Sequence, residues 1–237
     1  MERSGKLDKE IRESIEKEYN WIKNIVRDQG SPRVGVMSAG TWLRDPKRLV
    51  FVLSRYKFVA KMFSGFDRVL ELGSADGWPS RIVKQEVNTL VCVDFDQELL
   101  EFGISNLEQK WPILFEKKDL TELFLYDTKF DGVFALDVLE HIDKEKEDLF
   151  MKNIVNNLLH SGVTVIGIPS LESQVYSYPD NGHVNCKSGE ELREFCLNYF
   201  ERVLIFSMND EVVHTGFVKM ANYLFAVCFY PKISQST

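Results

Sequence analysis

Asp137, Glu140 and His141 stand at i, i+3 and i+4 in Ala135-Leu136-Asp137-Val138-Leu139-Glu140-His141, so in a helix opening at Asp137 they share one edge. An imidazole beside two carboxylates suits proton removal from a reacting hydroxyl, because the unperturbed histidine pKa lies near neutral pH. A local role also fits, with Asp137 as N-cap and Glu140 at the third helical position of a capping box. His183 sits in the polar stretch Tyr178 to Asn185, after the fifth strand-like run. Loops at the carboxyl ends of parallel strands are where α/β folds place their sites. His160, ahead of Ser161-Gly162, reads as a surface residue of a turn, and His214 lies in a long connection able to close over a pocket.

A second constellation is Val69-Leu70-Glu71-Leu72-Gly73-Ser74-Ala75-Asp76-Gly77-Trp78-Pro79, a buried strand that enters a tight turn of small residues. Gly73 and Gly77 allow a sharp bend and a close approach of backbone to ligand. A dinucleotide turn would need glycine at 75 and 78, where this chain has Ala75 and Trp78. That departure disfavours a nicotinamide-dependent oxidoreductase, which is the alternative enzyme class. It leaves room for a nucleoside ligand without pyrophosphate. Asp94 ends the next strand, where a carboxylate accepts from ribose hydroxyls, with Phe95 beside it to cover a base. Asp119, after the third strand, is placed to accept from an exocyclic amine.

The elements that must position these residues follow from periodicity. Strand-length apolar runs at Arg68 to Leu72, Thr89 to Val93, Ile113 to Glu116, Gly132 to Leu136 and Val163 to Ile168 alternate with helix-length stretches. Such alternation predicts βαβ units and a parallel sheet covered on both faces. Helices are expected from Pro79, Gln97, Val138 or Asp143, and Ser188. Arg202 to Phe206 and Tyr223 to Phe229 have no helix between them, which predicts an antiparallel pair at one edge of the sheet. Leu7, Ile11, Ile15, Ile22 and Ile25 mark an amphipathic helix stopped at Gly30, and Pro46 to Phe63 marks another. The expected organisation is a helical N-terminal cap over residues 1–60 on a core over 61–237.

Glu71 to Gly77, Val93-Asp94, Asp119-Leu120 and Phe130-Asp131-Gly132-Val133 through His141 together resemble the successive motifs of class I S-adenosylmethionine-dependent methyltransferases. The likeness spans about residues 50 to 230. It implies a Rossmann-like three-layer α/β/α sandwich on a seven-stranded, mostly parallel sheet with an antiparallel last strand. It also implies S-adenosylmethionine as cofactor and S-adenosylhomocysteine as product. Glu71, Gly73, Ser74, Ala75 and Gly77 would flank the methionine part, Asp94 and Phe95 the ribose and adenine, Asp119 and Leu120 the adenine, and Asp137 the transferred methyl. Arg55 or Lys57 would meet the cofactor's carboxylate. Many members have glycine where this chain has Ala75.

Two narrower likenesses follow. Asp137, Glu140 and His141, with His183, resemble the set by which small-RNA 3′-end methyltransferases hold a divalent cation, although those enzymes have glutamate at the first position. Quinone-type O-methyltransferases also carry a Glu-His here. Gly182 to Cys186 and His214-Thr215-Gly216 are similar to small methyltransferases of bacterial surface-polysaccharide biosynthesis. A sugar hydroxyl, or a phosphorus-linked or nucleotide-linked precursor, is then the expected acceptor, methylated at oxygen with His183 or His141 taking the proton. A cofactor-binding partner without catalysis is the third class to separate.

Composition bounds these readings. With 36 acidic against 29 basic residues the chain carries −7, which argues against a surface built to neutralise nucleic-acid phosphates and for a small-molecule acceptor. Cys92, Cys186, Cys196 and Cys228 form no C-x-x-C pair, as expected of a reduced, cytoplasmic protein without a structural zinc site. The polar start, Met1 to Asp8, lacks a secretory segment, and no apolar run reaches membrane-spanning length. These features leave the oligomeric state open.

Overall fold

The computed structural model describes residues 2–107, 110–176 and 182–232, so positions 178–181 of the polar histidine loop lie outside the described residues. The chain divides into two compact units, residues 1–34 and 35–237. The first holds one helix, α1 (Glu2–Gln29), followed by Gly30 at φ 78°, the left-handed stop that glycine provides. Ile11, Ile15 and Ile22 on this helix are exposed.

The second unit begins with α2 (Val36–Arg44) and α3 (Pro46–Met62). Asp45 separates them, and its carboxylate accepts from the Lys47 N–H at 3.2 Å while Pro46 opens the first turn, so α3 starts where its sequence dictates. Then come β1 (Arg68–Leu72), α4 (Arg81–Lys84), β2 (Thr89–Asp94), α5 (Gln97–Ser105), β3 (Leu114–Lys117) and β4 (Phe130–Leu136). They are followed by α6 (Glu147–Asn157), β5 (Leu158–Pro169), α7 (Gly189–Leu197), β6 (Phe200–Asn209), β7 (Val212–His214) and β8 (Tyr223–Pro231). Ser188 caps α7 through a capping box with Glu191.

The strands form one sheet in the order β3-β2-β1-β4-β5-β8-β6-β7. The first five pair in parallel, and β8 runs antiparallel between β5 and β6. Among the described residues the sheet therefore has eight strands and not the expected seven. The addition is β7, which folds back on the end of β6 after a turn at Asp210, φ 51°. At three residues it is too short to show a period in the sequence. The pair formed by β6 and β8 is antiparallel as expected, but β8 lies inside the sheet and β7 takes the edge.

Strand alternation divides the core between the two faces. Leu70, Leu72, Val133, Ala135, Ile166 and Ile168 pack with Phe150 and Ile154 of α6 and Leu192 of α7. Val69, Cys92, Phe134 and Val165 point the other way, toward Tyr56 and Val59 of α3 and Val83 of α4. Each fully buried large apolar side chain contributes about 1.5–3 kcal/mol, so both layers are pinned to the sheet. This anchoring brings the loops after β1, β2, β4 and β5 to one edge, where Gly73, Asp94, Asp137 and Ser170 follow or end their strands.

Candidate active site

The turn after β1 is held by its own backbone. Gly73 and Ser74 donate to the Val93 carbonyl at 2.8 and 3.1 Å, and Gly77 N–H donates to Ser74 O at 2.9 Å. Gly73, Ala75 and Gly77 all have left-handed φ, at 73°, 49° and 63°. A Cβ on Gly73 would come to 2.4 Å from a Val138 methyl, and one on Gly77 to 2.6 Å from the Phe115 ring. Packing and backbone conformation thus demand both glycines before any ligand is considered.

Asp94, 7% exposed, ties the turn to the end of β2 by accepting from Ala75 N–H at 2.7 Å and from Asp96 N–H at 2.9 Å. Phe95 beside it is exposed. Asp119 is exposed and folds onto Thr121, accepting from its N–H at 2.8 Å and its hydroxyl at 2.7 Å, which holds the carboxyl below its ordinary range. Leu120 is buried. Glu71 lies on the α3 side of the sheet, 1% exposed, accepting from the Tyr56 hydroxyl at 2.9 Å and the Cys92 thiol at 3.2 Å. Burial pushes its carboxyl up to about 7, against the pull of those hydrogen bonds.

Asp76 did not stand out in the sequence, yet it is buried and joins the turn to the N-terminal helices. Its two oxygens accept from Met37 N–H near the start of α2 and from Trp78 N–H, each at 3.0 Å. No local spacing signals a cap supplied from 39 residues away.

At the end of β4, Asp137 adopts φ 57°, and its N–H donates to Gly167 O of β5 at 3.0 Å. It opens no helix, and the expected capping box does not form. Leu139–His141 is a short 3-10 turn without a side-chain cap, and α6 begins only at Glu147. The left-handed residue redirects the chain immediately after the strand, so Asp137 and Glu140 serve different surroundings. Asp137 accepts from Nη1 of Arg55 at 2.8 and 2.7 Å, and the guanidinium lies 3.8 Å from the centre of the Tyr223 ring. Burial opposes the Arg55 charge, but Asp137 outweighs it and holds the guanidinium above its usual pKa. Arg55, expected at the cofactor's carboxylate, is thus engaged with Asp137, while Lys57 on the same helix is exposed.

Glu140 is fully buried, and among the described residues neither carboxylate oxygen has a hydrogen-bond partner. Burial first, and the charge of Asp137 second, push its pKa well above the usual carboxylate range. Its carbonyl accepts from Val184 N–H at 2.8 Å and Asn185 N–H at 3.0 Å, which brings the loop of His183 to this turn. Asn185 and Lys187 anchor the same loop to Glu147 of α6, each at 2.8 Å. The His141 and His183 rings lie 5.0 Å apart, centre to centre. One donor atom from each of Glu140, His141 and His183 lies within 4.8 Å of the others.

His141 Nδ1 meets Gly182 O at 2.9 Å, and His183 Nδ1 meets Gln174 Oε1 at 2.8 Å. A carbonyl oxygen only accepts, so in each neutral ring Nδ1 carries the proton and the lone pair is on Nε2. Burial lowers the His183 pKa, the charges of His141 and Arg48 lower it further, and Asp137 opposes them. The structure therefore joins three of the four expected metal-site residues, with the fourth, Asp137, turned to Arg55. His160 is exposed as expected but lies within β5 and not in a turn before it, and His214 is fixed within the β6–β7 hairpin, 3.2 Å from Asn209 Nδ2 and accepting from Gly216 N–H.

Residues 69–162 match the family model of the methyltransferase domain, a span that includes the glycine turn, both strand-end acids and the Glu-His turn. No curated protein sequence matches the chain. Among solved structures, the methyltransferase domain of bacterial CtHen1-CN is similar at a TM-score of 0.60 and 14% identity, covering 76% of this chain and 99% of that one. A Thermotoga maritima S-adenosylmethionine-dependent methyltransferase, a possible histamine N-methyltransferase by name, reaches 0.63 at 16% identity over 82% of this chain and 95% of its own. The N-methyltransferase NodS of Bradyrhizobium japonicum WM9, in complex with S-adenosyl-l-homocysteine, reaches 0.58 at 16% identity over 76% and 86%. Residues 69–162 thus match a methyltransferase domain, and the fold around them is one that S-adenosylmethionine-dependent methyltransferases of known structure share.

Proposed function

We propose that the enzyme methylates an oxygen of a small polar acceptor, such as a sugar hydroxyl or a group on a nucleotide-linked or phosphorus-linked precursor. The carrying observation is the cluster of Glu140, His141 and His183 beside the end of β4, where the class places the transferred methyl. S-adenosylmethionine supplies an electrophilic methyl on a sulfonium, so the protein's task is alignment and, for a hydroxyl acceptor, proton removal. In this reading the turn from Gly73 through Ser74 and Ala75 to Gly77 borders the methionine part of the cofactor, and Glu71 supports the turn from beneath. Asp94 turns toward the ribose hydroxyls, Phe95 covers the adenine, Asp119 and Leu120 edge it, and Asp137 borders the methyl.

His183 is assigned as the proton acceptor. Its lowered pKa keeps it neutral near pH 7, and its Nδ1 contact places the basic lone pair on Nε2. His141 completes the acceptor side. The balance of −7 supports a small acceptor over a long polyanion.

A second role of the same cluster is favoured by Glu140. A buried carboxylate with no hydrogen-bond partner among the described residues, close to two imidazoles, fits a divalent cation. Glu140, His141 and His183 would hold it, and the ion would lower the pKa of an acceptor hydroxyl.

Calorimetric titration with S-adenosylhomocysteine, followed by transfer assays on a panel of hydroxyl and amine acceptors, tests the proposal. Binding is expected to weaken at least about tenfold in Asp94→Asn, which loses one charge-assisted acceptor. Oxygen methylation is expected to fall about 100-fold or more in His183→Ala, in line with loss of a general base. Methylation confined to amines, or His183→Ala at full rate, would end the oxygen assignment.

A further inference from the structure

We propose that Asp76 is a positioning residue for cofactor binding: it locks the glycine turn and α2 into one unit, so that bound cofactor and an ordered α2 stabilise each other. The inference rests on the reading above that the turn from Gly73 to Gly77 borders the methionine part of S-adenosylmethionine. Gly35 is the N-cap residue of α2 and offers no side chain to the free N–H groups of the first turn. The cap comes instead from the glycine turn, where one Asp76 oxygen accepts from Met37 N–H and the other from Trp78 N–H, each at 3.0 Å. Asp76 is 2% exposed, so these N–H groups are its partners in place of water.

Close packing fixes the arrangement. Gly35 has φ −59° and ψ 156°, a backbone that any residue adopts, so its lack of a side chain answers to space and not to conformation. A Cβ there would run into the Asp76 carboxylate and come to 2.6 Å from Trp78 Cβ. On α5, a Cβ on Gly103 would come to 2.5 Å from the Asp76 carbonyl oxygen and 2.9 Å from the Phe115 ring, the ring that also lies against Gly77. Asp76 is thus held by two helices, by α2 through its side chain and by α5 through its backbone, while Ala75 before it is tied to Asp94. A turn gripped in this way cannot change shape without moving the cap of α2. A ligand that binds only the closed turn therefore stabilises α2, and by reciprocity an ordered α2 raises affinity for that ligand.

The test uses the full chain with S-adenosylhomocysteine, reading affinity by calorimetry and amide exchange by mass spectrometry over α2 and, as a control for folding, over β4. In the unsubstituted protein S-adenosylhomocysteine should slow exchange across α2 at least about fivefold, the equilibrium factor that a helix cap typically represents. Asp76→Ala should weaken S-adenosylhomocysteine binding about fivefold or more and remove the slowing, while β4 stays protected. Asp76→Asn keeps one accepting oxygen for two N–H groups and should fall between. Gly35→Ala leaves every residue of the turn intact and should give the same two losses, and it decides the matter if Asp76→Ala does not fold. A role confined to stability would speed α2 exchange in the free variants yet leave affinity and the ligand-induced slowing as in the unsubstituted protein, and that result would overturn the proposal. So would α2 exchange that ignores S-adenosylhomocysteine. Absence of S-adenosylhomocysteine binding by the unsubstituted protein would instead end the cofactor reading on which the proposal stands.

Discussion

Arg55 and Asp137, 82 residues apart, form an ion pair in which one guanidinium nitrogen lies 2.8 and 2.7 Å from the two carboxylate oxygens. The pair joins a helix that precedes the sheet to the end of its fourth strand. The arginine side chain is 12% exposed and the aspartate 37%, so the cation is the more desolvated partner and also stacks on Tyr223. Asp137 holds a left-handed φ, which aspartate adopts more readily than most residues with a side chain, and its carboxylate faces Arg55 from there.

Removing the arginine should therefore loosen both the fold and the strand end. Arg55→Ala is expected to cost about 2 kcal/mol in denaturant unfolding, below the range for a fully buried pair because Asp137 is partly solvated. Arg55→Lys should recover part of that stability, since the charge returns without the planar stack on Tyr223. Equal stability of wild type and Arg55→Ala would show that the pair contributes nothing.

Much of the frame was legible in the sequence because its cause is local. Strand-length apolar runs, a glycine turn and acids at strand ends are each written within about ten residues, and the parallel half of the sheet follows from them. What escaped was either non-local or too short. Asp76 caps α2 across 39 residues, and β7 has three residues and therefore no readable period. The spacing of Asp137, Glu140 and His141 was visible, but the spacing assumed a regular helix. The left-handed backbone at Asp137 replaces that helix with a 3-10 turn, and this separates the aspartate from the Glu-His pair.

Ala75 offers a test of how much strain the turn stores. Its φ of 49° costs about 1–2 kcal/mol relative to glycine, while glycine gives back about 0.4–1 kcal/mol through a freer unfolded chain. Ala75→Gly should be more stable by about 0.5 kcal/mol, a shift of about 1–2 °C in melting temperature for a chain of this size. A loss of stability would mean that the alanine methyl makes packing contacts that outweigh the strain.

Glu71 sets a pH dependence whose sign is fixed by the direction of its shift. The folded carboxyl titrates at about 7, above its ordinary 4.5, so the folded state binds the proton more tightly than the unfolded one. Stability from this group is fully present below about pH 4.5 and declines as pH rises through about 7, by on the order of 3 kcal/mol. Tyr56 and Cys92 beside it are pushed up by burial from ordinary values of 10 and 9, outside that window. Glu71→Gln keeps an acceptor for Tyr56 without the charge. Melting curves between pH 5 and 8 should fall more steeply for wild type than for Glu71→Gln, and parallel curves would contradict the shift.

Glu140 separates a structural carboxylate from a metal ligand more cleanly than either histidine does. Its oxygens have no hydrogen-bond partner among the described residues, so Glu140→Gln removes none of the hydrogen bonds seen there and replaces a costly buried acid with a neutral group of the same shape. The substituted protein without metal should melt no lower than wild type. If Glu140, His141 and His183 hold a cation, the same change should weaken Mn²⁺ or Zn²⁺ binding at least about tenfold by calorimetry, as loss of one of three ligands requires. Chelation should then reduce methyl transfer in wild type, and added Mn²⁺ should restore it. Full activity in chelator, with no heat of metal binding in the presence of S-adenosylhomocysteine, would leave His183 to act as a base without a cation.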